Sequence, residues 1–128
     1  LARCERLSNL RYLSLYFNKI KGEGAKELAN SPVLSNLETL DLSFNKVGDD
    51  GAVAIASSPY LKKLKVLHLD CNGIGYKGMK AIAESTSLKQ LTTLNITHNL
   101  LDFEGLELMK ESRFLQSLEV VKSDMVEE

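Results

Sequence analysis

Ser14, Asp41 and His68 are residue types that together can hydrolyse a bond, and they follow one another at intervals of 27 residues. A serine nucleophile needs a histidine base lying between it and an orienting carboxylate. If the three stand on successive strands, the aspartate takes the middle place and Ser14 sits two strands from His68. That order opposes catalysis, so the chain is read as non-enzymatic, with no catalytic residue. An adjacent Asp41–His68 pair would instead make recognition sensitive to pH. A second set, His68, Asp70, Cys71 and His98, has the ligand types of a zinc site. Zinc needs its ligands at about 2.0–2.3 Å from one point. His68 and Asp70 share one segment, whereas Cys71 and His98 fall to its edge, so no metal and no cofactor is expected. No Gly-Lys-Ser or Gly-Lys-Thr phosphate loop occurs.

The interval of 27 belongs to the whole chain. Leu10–Asn18, Leu37–Asn45, Leu64–Asn72 and Leu91–Asn99 share one pattern, and a weaker copy opens at Leu118. The pattern is leucine, two free positions, leucine, one free, leucine or isoleucine, two free, asparagine. A fixed period of this size marks stacked units, each too small to bury its own apolar face. Within a unit the leucines alternate as on a strand. Asparagines 18, 45, 72 and 99 are expected to stack as a ladder that satisfies backbone groups where the chain leaves the sheet. Glycines 24, 51, 78 and 105 are read as marking the turn into a helix, with Asp49 and Asp50 suited to the N-terminus of that helix. Ala25, Leu28, Ala29 and Ala52, Ile55, Ala56 then recur at helical spacing. Ser31-Pro32 and Ser58-Pro59 end the helix and return the chain.

The expected organisation is one domain over 1–128. It comprises the end of a truncated repeat (1–9), full repeats at 10–36, 37–63, 64–90 and 91–117, and a terminal partial repeat or cap at 118–128. The start in mid-repeat points to a longer protein.

The Leu-x-x-Leu-x-Leu-x-x-Asn pattern resembles that of leucine-rich-repeat proteins. The stretch Gly48-Asp49-Asp50-Gly51-Ala52-Val53-Ala54-Ile55-Ala56-Ser57-Ser58-Pro59 is similar to the ribonuclease-inhibitor-like subclass. The short period and the Ser-Pro-x-Leu returns are similar to bacterial repeat arrays. The resemblance implies an α/β fold: a right-handed solenoid in a horseshoe arc, with a parallel sheet on the concave face and helices on the convex face. It also implies protein recognition through the concave sheet.

Composition narrows the partner class. The formal net charge is −1 and basic residues alternate with acidic ones, which argues against nucleic acid. The longest apolar runs fall far short of the roughly 20 residues of a membrane span. Cys4 shares a column with Ser31, Ser58, Ser85 and Ser112, read as the outer side, while Cys71 sits at the sheet edge. They are too far apart for a disulfide, which favours an intracellular, cytoplasmic setting, with secretion into a host as the alternative.

With the leucines turned inward, the free strand positions form a recognition surface for a protein or peptide. The residues expected to bind are Tyr12, Ser14, Tyr16, Phe17, Thr39, Asp41, Ser43, Phe44, His68, Asp70, Asn95 and Thr97. Tyrosine and phenylalanine are favoured interface anchors, and the competing expectation packs Phe17 on Phe44 over the asparagines. Five strands of about five residues present on the order of 400 Å², half of the roughly 800 Å² a standard interface takes per partner. A tight partner would therefore also engage the rims or further repeats. Two other functions fit the same pattern: the substrate-recognition segment of a larger enzyme or secreted effector such as a ubiquitin ligase, and a structural spacer. End-to-end self-association through exposed terminal repeats is a further expectation.

Overall fold

The computed structural model describes residues 5–116 and 118–122. Each 27-residue step lays down one short strand, always in the same direction. The strands are β1 (Tyr12–Ser14), β2 (Thr39–Asp41), β3 (Val66–His68), β4 (Thr93–Asn95) and β5 (Val120–Lys122). They form one parallel sheet in sequence order. Pairing follows the period, with Leu13 opposite Leu40, Leu40 opposite Leu67 and Leu67 opposite Leu94. Parallel neighbours need a crossover, and here helices supply it: α1 (Gly22–Ala29), α2 (Gly48–Ala56), α3 (Tyr76–Ala83) and α4 (Phe103–Glu111), with a short α5 (Arg113–Gln116) after it. The result is an α/β leucine-rich-repeat solenoid, sheet on one face and helices on the other. Among the described residues no helix is long and apolar enough to cross a membrane.

The core lies between the two layers. Leu37, Leu40, Leu42 and Val47, and their equivalents Leu64, Leu67, Leu69 and Ile74, are fully buried against Ala52, Ile55, Met79 and Ile82 from the helices. The matching residues of the first repeat, Leu10, Leu13, Leu15 and Ile20, are only partly buried, since among the described residues they have a repeat on one side only. Small residues let the helices approach. The recurring glycines, read from sequence as the turn into the helix, stand inside it, and close approach is their reason. A Cβ on Gly51 would lie 2.5 Å from Val47 Cγ1 and 3.0 Å from the Ala25 Cβ of α1. One on Gly78 would lie 2.7 Å from Ile74 Cγ2 and 3.0 Å from the Ala52 Cβ of α2.

Polar side chains complete the backbone at both ends of each helix. Asn45 Oδ1 accepts the Asn18 and Ile20 N–H groups, both at 2.9 Å. Its Nδ2 donates to the carbonyls of Leu15 (2.9 Å), Leu42 (2.9 Å) and Ser43 (3.2 Å). Asn99 repeats the arrangement, accepting from Asn72 (2.9 Å) and Ile74 (3.0 Å) and donating to Leu69, Ile96 and Thr97. Asn72 accepts from Val47 at 3.2 Å and donates to Leu42 and Asp70. The expected ladder therefore runs through 45, 72 and 99. Asn18 differs: it is exposed, and its amide donates only to Tyr16 O at 3.0 Å.

The serine column is a correction. Ser31, Ser58 and Ser112 are buried, not on the outer side, and form a second ladder. Ser58 Oγ donates to Ala29 O and accepts from the Tyr60 and Leu61 N–H groups, each at 3.1 Å. Ser85 donates to Ala56 O at 2.6 Å and Ser112 to Ala83 O at 3.0 Å. Cys4, assigned to the same column, lies outside the described residues, as does the tail after Lys122. Asp49 is a second correction. Instead of serving its own helix, its Oδ1 accepts from Gly75 (2.8 Å) and Gly78 (2.9 Å), which caps α3 of the following repeat.

Candidate functional site

The residues between the inward leucines meet on the sheet face because strand side chains alternate in direction. Pairing continues past the named strands. Leu15 N–H donates to Asp41 O (2.8 Å) and Phe17 N–H to Ser43 O (2.9 Å), and Phe44 N–H and Cys71 N–H do the same to Asp70 O and Thr97 O. Two rows follow: Ser14, Asp41, His68, Asn95 with Lys122 opposite Asn95, and beside it Tyr16, Ser43, Asp70, Thr97. Tyr12, Thr39, Val66 and Thr93 make a third row.

Asp41 stands between Ser14 and His68, as the spacing implied. Its carboxylate turns along its own strand, where Oδ1 accepts the Ser43 N–H at 2.9 Å. The Ser43 hydroxyl in turn donates to Asp70 Oδ1 at 2.6 Å. Ser43 thereby joins two carboxylates from adjacent strands, and it is itself only 6% exposed. Asn95 and Thr97 copy the first half of this, since Asn95 Oδ1 accepts both the N–H (3.1 Å) and the hydroxyl (3.0 Å) of Thr97. Thr39, Asp41, His68, Asp70, Asn95 and Thr97 are half-buried, and Ser14 is exposed. Among the described residues no group of three or more His, Cys, Asp and Glu could hold a metal ion.

The aromatic residues gather at the β1 end. Tyr12 is 62%, Tyr16 52%, Phe17 70% and Phe44 42% exposed. Tyr16 stands between the two phenylalanines, 6.2 Å from the Phe17 ring and 5.4 Å from that of Phe44, edge to face with the latter. The expected stacking of Phe17 on Phe44 is replaced by this Tyr16-centred cluster. The cluster is held by a backbone feature that no sequence signal announces. Phe17, Phe44, Cys71 and His98 all have positive φ, 58°, 59°, 57° and 56°, where the chain turns off the sheet. This conformation favours glycine or asparagine, and neither occupies the column. It carries the Phe17 and Phe44 rings to the edge of the face. A separate exposed group, Tyr76, Leu100 and Phe103, also escaped the sequence reading because it interrupts no periodic pattern.

Comparison with known proteins agrees with this architecture. The family described as Leucine Rich repeat matches residues 6–29, 33–56 and 60–83, again at steps of 27 and over just more than half of the chain. No curated protein sequence matches. Among solved structures, the leiomodin-1 actin-binding site 2 is similar with a TM-score of 0.79 and 21% identity, over 94% of this chain and 76% of that one. An internalin (inlF) from Listeria monocytogenes aligns with a TM-score of 0.45 and 19% identity, over 97% of this chain and 50% of that one. The repeats of this family generally mediate protein–protein interaction. By its sequence match and its solenoid, the chain belongs to the leucine-rich-repeat family.

Proposed function

We propose that this chain is a non-enzymatic interaction module that binds a protein or peptide on its sheet face, anchored at the β1 end. The observation that carries the reading is the cluster of Tyr12, Tyr16, Phe17 and Phe44, all exposed and adjoining the Asp41–Ser43–Asp70 group. Large aromatic side chains beside fixed polar groups are what interface centres are made of. The 27-residue units at 10–36, 37–63, 64–90 and 91–117 present this surface as parallel rows. The sheet face alone is on the order of 400 Å², so the partner also covers the rim carrying Phe17 and Phe44. A helix of eight or nine residues in each repeat supports the ribonuclease-inhibitor-like reading of the subclass. The leiomodin-1 site shares the fold at 21% identity and supports a protein as the partner class without naming which protein.

The test is photo-crosslinking from two positions of the intact chain. A crosslinker at Tyr16 should capture a partner that the same group at Lys26, exposed on α1, does not. Tyr16→Ala should then weaken binding of that purified partner tenfold or more. Equal capture from Lys26, or unchanged affinity of Tyr16→Ala, would overturn the reading.

A further inference from the structure

The sheet face carries two carboxylates whose treatment differs from that of acids elsewhere on the surface. Glu38 pairs with Lys65 at 3.9 Å, Asp50 with Lys77 at 3.6 Å and Glu107 with Lys110 at 3.8 Å. Asp41 and Asp70 meet no basic group within 4.0 Å among the described residues. Each commits one oxygen to Ser43, by its N–H at 2.9 Å and its hydroxyl at 2.6 Å, so both carboxylates are held in place with lone pairs still unused. The row holding Ser43 and Asp70 begins at Tyr16, whose half-exposed ring is braced edge to face by Phe44 at 5.4 Å. Two fixed negative groups beside a fixed aromatic ring suit one kind of ligand atom. A cation gains from the ring face and from charge-assisted hydrogen bonds to carboxylates, and here neither acceptor has to be ordered first.

We infer that the partner on this face presents an arginine or lysine side chain, seated between Tyr16 and the Asp41–Ser43–Asp70 group. This rests on the sheet-face binding proposed above and names the chemistry of its occupant. The complementarity is of charge and shape. A guanidinium laid along Tyr16 can direct its N–H groups at two carboxylates on neighbouring strands, which are spaced about 4.8 Å apart.

The probe is a library of random peptides displayed on phage, selected against the intact chain. Clones are kept when they bind the wild type and are lost on Tyr16→Ala. Selected clones should be enriched in arginine or lysine. Their affinity should fall at least tenfold on the double substitution Asp41→Asn and Asp70→Asn, which keeps an acceptor oxygen for Ser43 while removing both charges. Replacing the peptide's basic residue by glutamine should produce a similar loss that is not additive with the double substitution. Matching urea midpoints for wild type and double variant show that folding is not the cause, and if they differ the glutamine peptide on wild-type protein decides. Clones that need Tyr16 yet show no basic enrichment, or bind the double variant equally well, overturn the cation inference and leave sheet-face binding standing. A selection in which no clone depends on Tyr16 overturns both.

Discussion

Asn45 and Asn18 occupy the same position in adjacent repeats, but replacing them should have very different effects. Asn45 is buried and makes five hydrogen bonds, two as acceptor from Asn18 and Ile20 and three as donor. Asn18 is exposed and donates once, to Tyr16 O. Asn45→Ala orphans two backbone N–H groups where the chain bends off β1, and also leaves the Leu15 carbonyl short of a partner. A buried donor left unmade costs about 1–3 kcal/mol. Because these two are partly buried, the sum is on the order of 2–4 kcal/mol. With a urea slope of about 1–3 kcal/mol per molar, the midpoint should fall by roughly 1–2 M. Asn18→Ala should stay within about 0.5 kcal/mol of the wild type, as exposed substitutions usually do. Urea unfolding followed by circular dichroism gives the midpoints. Amide hydrogen exchange gives the location, since the Ile20 N–H should lose protection in Asn45→Ala well before the Leu67 and Leu69 amides. Asn45→Asp is a sharper variant. It retains the acceptor but turns a carboxylate oxygen towards three carbonyls, so it should be at least as damaging as alanine. If Asn45→Ala and Asn18→Ala shift the midpoint equally, the ladder is not what holds the bends, and the reasoning fails.

Gly51→Ala should lower stability by about 1–3 kcal/mol, although alanine is the better helix former by about 1 kcal/mol. The added Cβ meets Val47 at 2.5 Å and Ala25 at 3.0 Å, and thermal unfolding measures the difference. Ser58→Ala removes the donor to Ala29 O and the acceptor for Tyr60 and Leu61, and should cost about 1–3 kcal/mol by urea unfolding. Asp49→Ala should cost about 1–2 kcal/mol, with exchange protection lost at Gly75 and Gly78 in the next repeat, not in its own helix. Phe17→Gly relieves a residue at φ 58° and should leave stability unchanged or slightly raised while weakening partner binding, read by calorimetry on the crosslinked partner.

The fold was legible because it is written in repeats. The leucines and asparagines recur without a slip, and a period of 27 admits only stacking, so strand order, parallel pairing and register follow from counting. What was not legible depends on which neighbour a side chain reaches. Gly51 reads as a turn residue from its place after Gly48-Asp49-Asp50, and only the Ala25 Cβ of the preceding helix shows why it has no side chain. Ser58 beside Pro59 reads as surface chain reversal, while its hydroxyl is in fact spent on a carbonyl 29 positions earlier. The site was half legible. Alternation placed Tyr12, Tyr16, Asp41 and Asp70 on one face. The union of Asp41 and Asp70 through Ser43 depends on rotamers that no spacing encodes. The left-handed turn at Phe17 and Phe44 gave no signal at all, for want of the glycine that usually reports it.

The two polar ladders have a common direction. Asn45, Asn72 and Asn99 complete the backbone of the repeat before them, and Ser58, Ser85 and Ser112 donate to the helix before theirs. Asp49 reaches the other way. Dependence thus runs mainly backward along the stack. A repeat that loses its successor is left with unmet donors and carbonyls, whereas one that loses its predecessor keeps its own backbone complete and has only idle side chains. Under mechanical load or partial denaturation, the array should peel from its C-terminal side towards β1, each departure loosening the next. The aromatic end of the sheet would then be the last part of the molecule to lose its shape.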